Sequence, residues 1–133
     1  SKLASKIATF KFIRMQVNRF QRDFVRNNIK NDGFVIDGRD IGSVVFKKAD
    51  LKLYIEVNSE IRAKRRYKQL IDSGEKSIYR QILKDIKLRD KKDKNRLVSP
   101  LIIPRRAFII NNNGKFMDTA KQVNHLIEKY IND

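Results

Sequence analysis

Residues 34–46 of the chain read FVIDGRDIGSVVF, and this stretch decides the fold class. It opens with three apolar residues in succession, as in a strand that is covered on both faces, and an Asp-Gly turn follows. Arg39 and Asp40 then stand side by side between two glycines. In open α/β sheets, ligands bind at the carboxyl ends of the strands. The stretch therefore predicts a buried strand that delivers an Arg-Asp pair to a ligand site.

Composition limits the kind of protein that the chain can be. Its 133 residues suffice for one domain with a modest core, and a hydrophobic content of 41% argues against disorder. No apolar run approaches the roughly 20 residues that span a bilayer, so we expect no membrane segment. The absence of cysteine excludes disulfides and thiolate metal sites. Together these features predict a cytoplasmic location.

The net charge of +16 predicts an anionic partner, which is nucleic acid, a phosphorylated small molecule or an acidic protein. Part of the charge is background, because Lys, Ile and Asn are abundant throughout the chain. Charge therefore indicates phosphate without deciding between a polymer and a small molecule. The chain opens at Ser1 with residues that already look helical, so we expect it to be a piece of a longer protein.

Hydrophobic periodicity predicts the other elements of the chain. Strands are predicted over residues 34–37, 51–57 and 107–111. Helices are predicted over residues 2–31 in two pieces, 60–72 with Ser59 as its cap, 78–95 with Ser77 as its cap, and from Asp118 or Thr119 onward. This order predicts an α/β fold, a parallel sheet with crossover helices. Three strands are few for such a sheet, which again suggests that a piece is missing.

Several kinds of catalytic chemistry find no support in the sequence. No metal-ligand spacing is present, and one histidine without cysteine supplies no nucleophilic triad. A P-loop, G-x-x-x-x-G-K-[ST], is absent. The carboxylates available for acid–base work are Asp37, Asp40, Asp90 and Asp93. Arginine or lysine flanks each of them and should keep it ionised, which suits orienting a ligand better than transferring a proton.

Two groups of charged residues each share one face of a predicted helix. The first group is Arg62, Arg65 and Arg66, and the second is Arg89, Asp93 and Arg96. A solvated basic face would explain the first group, and a surface ladder of ion pairs would explain the second. By spacing alone, both remain alternatives to phosphate binding.

Four segments, read together, resemble a known family. They are ASKIATFKFIR, DGRDIGSVVFKKADLKLYIEV, RAKRRYKQL and IKLRDKKDKNRLVSPL, and they resemble the carboxyl-terminal part of bacterial cytidylate kinases in order and spacing. The resemblance covers essentially the whole chain. It implies a P-loop nucleoside monophosphate kinase fold, in which residues 1–133 belong to a single kinase domain with an arginine-rich lid at roughly 60–98. It also implies transfer of the γ-phosphoryl group of ATP, with magnesium, to CMP or dCMP.

The resemblance further implies roles for individual residues. Cytosine recognition falls to Ser5, Arg14 and Asp40. Phosphate contact during catalysis falls to Arg39, Arg89 and Arg96, sugar contact to Asp93, and lid contacts to Arg62, Arg65 and Arg66. None of these residues is expected to bind a metal. The chemistry fits, because an ionised aspartate accepts from the cytosine amino group while an arginine donates to the ring acceptors.

Some features depart from the family pattern. Ser5 and Arg14 are nine residues apart and would point to opposite sides of one unbroken helix. The chain must therefore bend between them, although Lys11 stands where the family often has proline. Because the P-loop is absent, we expect the chain to be inactive by itself.

Two other functions stay open at this point. A basic α/β module could bind nucleic acid through residues 84–96. That helix lacks interleaved aromatic residues, so we do not expect nucleic acid as a partner and expect instead a monomer that binds CMP or dCMP. The third possibility is a relative of the kinases that has lost catalysis.

Overall fold

A computed structural model of the protein describes residues 7, 10–28, 30 and 33–132, apart from the side chain of residue 131. Ser5, which the resemblance assigns to cytosine recognition, lies outside these residues. The chain divides into two compact units, of which the first comprises Ser1–Asp50 with Lys94–Arg105 and the second Leu51–Asp93 with Arg106–Asp133. Each unit has its own contacts, and each is described by itself.

The regular elements follow the predicted order, except that a π-helical segment is added and the strand predicted over residues 34–37 is missing from the described residues. In the described part of the chain they are α1 (Lys11–Asn27), a π-helical segment (Ile41–Val45), β1 (Leu53–Glu56), α2 (Ser59–Asp72), α3 (Tyr79–Asn95), β2 (Phe108–Asn111) and α4 (Phe116–Asn132). None of these helices is long and apolar enough to cross a membrane, a finding limited to the residues described.

The two strands pair in parallel, with Leu53 opposite Phe108 and Glu56 opposite Asn111. Parallel neighbours need a long crossover connection, and α2 and α3 lie between these strands in sequence. The predicted α/β fold, a parallel sheet with crossover helices, is confirmed.

The strand predicted over residues 34–37 is wrong for the described structure. Residues 33–38 have no regular structure, and Val35 is fully exposed. The sheet formed by the described residues contains β1 and β2 alone. An apolar run favours an extended backbone, but a strand also needs a neighbour that completes its hydrogen-bond ladder. Sequence pattern alone could not show that this neighbour is absent here.

The ends of three helices differ from prediction. Asn58, not Ser59, is the cap of α2. Helix α3 begins at Tyr79, and the carbonyl of Ile78, not a cap at Ser77, accepts from the Gln81 N–H at 3.0 Å.

Helix α4 begins at Phe116, two residues before the predicted cap. The side chain of Asp118 still serves the helix start, because its Oδ2 accepts from the backbone N–H of Lys115 at 3.2 Å. This is the backward bond of a capping box, made from the third helical position.

The predicted break in the amino-terminal helix is confirmed where the structure describes it. Ile7 is helical, whereas Phe10 is extended with φ −78° and ψ 116° and precedes the first residue of α1. Lys11 takes the first helical position, where proline is also favoured. The bend therefore forms without a proline.

The apolar core of the described residues is small. Its buried hydrophobic members are Val45, Ala63 and Ile110. Helix α1 carries the predicted apolar stripe but has no buried residue, and Phe20 is 71% exposed. Polar contacts therefore do much of the positioning of side chains in both units.

Candidate functional site

The predicted Arg-Asp turn of the first unit contains a buried ion pair. The Arg14 Nη2 group of α1 donates to the Oδ2 atom of Asp40, and the two side chains are only 11% and 10% exposed. The carbonyl of Asp40 accepts from the Val44 and Val45 N–H groups at 2.8 and 3.2 Å, which begins the π-helical segment. Asp40 is thus held by its backbone as well as by its side chain. A buried carboxylate needs such a partner.

A second arginine of α1 supports the same segment. Arg22 donates from Nε to the Val45 carbonyl at 3.2 Å and from Nη2 to the Val44 carbonyl at 3.3 Å. These carbonyls stand at the end of a helical segment, where cations are favoured. Phe24 also packs edge-on against Phe34, with ring centroids 6.0 Å apart. Sequence reasoning missed Arg22 because a five-residue π-helical segment leaves no periodic signal.

Gly38 is required by the close approach of Ile41. A Cβ atom at residue 38 would lie 2.6 Å from Ile41 Cγ1 and 3.0 Å from Cδ1. Cγ1 can move away only by rotation about χ1, which is restricted in a β-branched side chain. We therefore expect Gly38→Ala to lower the free energy of unfolding by about 1–3 kcal/mol. Urea denaturation checks this. Gly33→Ala is the control, because nothing lies within 4 Å of its Cβ position, and equal losses in both variants would contradict the prediction.

In the second unit, Arg62 of α2 is fastened to Asp90 of α3. Its Nη1 and Nη2 groups donate to the two carboxylate oxygens at 2.9 and 2.5 Å. Its Nε group donates to the Val57 carbonyl, just beyond β1, at 3.2 Å. The hydrogen bond to Asp90 raises the pKa of Arg62. This paired geometry is among the stronger charge-assisted contacts that proteins form.

Two further contacts join α2 and α3. Lys87 Nζ lies 2.7 Å from Glu60 Oε1, and the hydrogen bond from Lys87 lowers the pKa of Glu60 to about 2. Both side chains are exposed, so this pair contributes little to stability. The rings of Tyr67 and Tyr79 also meet edge-on at 6.3 Å.

The other two arginines of α2 have different partners. Arg65 donates to Asn112 Oδ1 at 3.2 Å and to the Gly114 carbonyl at 2.9 Å, both in the loop after β2. Arg66 donates to Gln69 Oε1 at 2.8 Å and is exposed. The three arginines that were predicted to share one helix face therefore contact three different sets of partners.

Two contacts are described for the second predicted group. Arg89 Nε lies 3.9 Å from Asp93 Oδ2, a long ion pair in which Asp93 is buried and Arg89 is 47% exposed. Arg96, in the first unit, donates from Nε to the Ser99 carbonyl. Ser99 has a left-handed backbone with φ 53°. The ion pair between Arg89 and Asp93 agrees with the ion-pair alternative for that part of the group.

Of the remaining predicted residues, Arg39 is half-buried within the turn, next to Asp40. No cluster of three or more histidine or acidic residues among those described could hold a metal ion. What the described residues offer to a phosphorylated ligand is guanidinium groups, whose planar fork matches phosphate oxygens.

The fold places the chain among α/β proteins with a parallel sheet and crossover helices. Asp40 of its Arg39-Asp40 turn forms a buried ion pair with Arg14 of α1. The family model named cytidylate kinase matches residues 1–132. The chain belongs to this family, whose fold is of the P-loop nucleoside monophosphate kinase type. The resemblance inferred from the sequence is confirmed.

Individual relatives agree with the family match. Cytidylate kinase 2 of Haemophilus influenzae is 44% identical over 117 residues, which cover 88% of this chain and 51% of that protein. The cytidylate kinase of Shewanella putrefaciens is 42% identical over 133 residues, covering 100% of this chain and 55% of that protein. That of Rickettsia akari is 39% identical over 130 residues, covering 97% and 58%. The chain thus spans about half the length of the curated relatives it matches.

Proposed function

We propose that this chain is the carboxyl-terminal part of a cytoplasmic cytidylate kinase, which transfers the γ-phosphoryl group of ATP to CMP or dCMP. The chain would supply the cytosine-binding side and the lid, over residues 60–98, of one monomeric kinase domain. The observation that carries the proposal is the buried ion pair between Asp40 of the DGRD turn and Arg14 of α1. Family membership makes a cytosine nucleotide the ligand of choice for this pair.

The pair retains hydrogen-bonding capacity for a base. A carboxylate has about four acceptor positions, so Asp40 can bond Arg14 and also accept from the amino group at C4 of cytosine. The Arg14 Nε atom is buried and has no hydrogen-bond partner among the described residues. A buried donor without a partner is costly, and a ring acceptor of cytosine, N3 or O2, would satisfy it. Ser5, the third proposed contact, lies outside the described residues.

Discrimination against uracil follows from the same geometry. Uracil would turn a carbonyl toward the Asp40 carboxylate, and two acceptors would then face each other in a buried position. A site built to hydrogen-bond a particular group rejects an analogue that lacks the group by large factors. The pair of Asp40 and Arg14 is therefore proposed as the specificity element.

Arginines are proposed to contact the phosphates. Phosphoryl transfer depends mainly on positioning and on positive charge around the migrating group. The proposed phosphate contacts are Arg39, Arg89 and Arg96, with Arg62, Arg65 and Arg66 on the lid and Asp93 on the sugar. Magnesium bound with ATP would neutralise further phosphate charge. The P-loop that holds ATP is not among these 133 residues.

Binding and turnover test the proposal separately. We expect the 133-residue chain to bind CMP at least about tenfold more tightly than UMP in calorimetry, as one unpaired buried group requires. We expect no CDP from ATP and CMP, because no residue in the chain can form a P-loop. Equal binding of the two nucleotides would refute the cytosine site, and kinase-like turnover would refute the dependence on a separate P-loop.

One observation favours nucleic-acid binding as a second candidate function. One shallow groove on α3 is lined by four cationic residues and two leucines, namely Arg80, Lys84, Lys87, Lys91, Leu83 and Leu88. A phosphate backbone could follow such a row without base preference. Titrating a short RNA at two salt concentrations tests this, since a steep salt slope with no preference for CMP over UMP would favour the nucleic-acid module.

A further inference from the structure

We propose that Asp90 is a positioning residue that keeps Arg62 engaged until the phosphates of a nucleotide displace it. The proposal rests on the phosphate role given to Arg62 under the proposed function. It adds a competing anion within the chain, so that the lid arginine is never left without a counterion. The observation behind it is the paired contact between the two side chains at 2.9 and 2.5 Å.

Arg62 is placed where a ligand would meet it. Its Nε group bonds the carbonyl of Val57, the residue that follows the last residue of β1. Ligands of open α/β sheets bind at this carboxyl end of the strands. The guanidinium therefore lies at the ligand edge of the sheet in the second unit, while its paired donors face Asp90.

Asp90 occupies the donors that a phosphate would use. Arginine has five N–H donors, and three of those on Arg62 bond Asp90 and Val57. A phosphate prefers two parallel bonds from one fork, and Asp90 occupies the fork formed by Nη1 and Nη2. The pair is partly exposed, at 35% and 25%, so a ligand can reach it. A multiply charged polyphosphate can compete for the guanidinium with the single charge of one carboxylate.

Two other contacts between α2 and α3 do not involve Arg62 or Asp90. Lys87 Nζ lies 2.7 Å from Glu60 Oε1, and the ring of Tyr67 meets that of Tyr79 edge-on. Release of Arg62 from Asp90 leaves both of these contacts in place. Binding measurements then distinguish a positioning role for Asp90 from a structural one, because the two roles change the affinity for a polyphosphate in opposite directions.

Calorimetry with inorganic tripolyphosphate tests the proposal on the 133-residue chain at low salt. We expect Asp90→Asn to bind tripolyphosphate about three- to tenfold more tightly than the unchanged chain, because Arg62 no longer has to leave a carboxylate. The matched control is Glu60→Gln, which removes the same charge from the same helix pair but leaves Arg62 engaged. We expect less than a twofold change in that variant.

The gain must also depend on Arg62. In the Arg62→Gln background, Asp90→Asn should bring no further tightening. A gain equal to that of Glu60→Gln, no measurable binding in either variant, or a gain that persists without Arg62 would each overturn the proposal. A purely structural role for Asp90 predicts weaker binding, the opposite sign.

A measurement on the unchanged chain avoids any folding defect of the variants. The NMR signal of the Arg62 Nε–H group should move along the tripolyphosphate binding curve, and an unmoved signal at saturation would overturn the proposal. CMP selectivity is measured separately, because Arg14 and Asp40 are unaltered. Tightening in Asp90→Asn without preference for CMP over UMP would keep this inference and refute the proposed function. Preference for CMP over UMP without tightening in Asp90→Asn would keep the proposed function and refute this inference.

Discussion

Replacing Arg14 with methionine should lower the free energy of unfolding by about 3–5 kcal/mol, because the carboxylate of Asp40 then stays buried without a counterion. Methionine retains most of the apolar stem, so the loss reflects charge more than packing. The pair is buried, with side chains only 11% and 10% exposed. Chemical denaturation at neutral pH measures the change.

Arg19→Met is the matched control on the same helix. Arg19 is 78% exposed, and its ion pair with Asp23 at 3.6 Å is of the surface kind. Such pairs contribute about 0–1 kcal/mol. The double variant Arg14→Met/Asp40→Leu should recover much of the lost stability, since removing both charges of a buried pair is often neutral. If Arg14→Met cost no more than Arg19→Met, the pair would not matter for folding.

Changing Asp40 to asparagine should abolish most of the preference for cytosine. Asparagine keeps one acceptor but adds donors, which can serve the uracil carbonyl. We expect the affinity for CMP to fall by about tenfold to a hundredfold, the value of about 1–3 kcal/mol of base discrimination. The affinity for UMP should change much less. Calorimetric titration of both nucleotides measures the ratio, which should approach one.

Asp37→Asn controls for charge in this experiment. Asp37 lies three residues earlier in the same turn and is exposed. Asp37→Asn changes the net charge by the same amount as Asp40→Asn. The general electrostatic attraction between the chain and a nucleotide phosphate therefore changes equally in both variants. A preserved CMP preference in Asp40→Asn, or an equal loss in Asp37→Asn, would show that Asp40 does not read the base.

Much of the fold follows from local sequence. Apolar residues that recur at helical spacing place α2 and α3 within one residue of their predicted starts, and β-branched runs place β1 and β2. The motifs around DGRD and RAKRR identify the family, because they are contiguous. Local patterns can be recognised from the sequence alone, since each depends on residues that are a few positions apart.

What local sequence could not predict depends on partners that are far apart in the chain. The extended residues 33–38 acquire no ladder in the described structure, and Arg22 contacts carbonyls more than 20 residues away. Spacing placed Arg62 with Arg65 and Arg66, yet its partner is Asp90, 28 residues further on. No periodic signal connects such positions.

The sequence by itself determined the parallel α/β class, the family and the presence of an Arg-Asp turn. Only the tertiary structure decided that Asp40 is buried against Arg14, from which it is separated by 26 residues, and that Asp90 holds Arg62. The physical reason is how far apart in the sequence the interacting residues lie. Helices and turns form from neighbouring residues, whereas a buried ion pair exists only where folding brings two distant charges together and removes water from both.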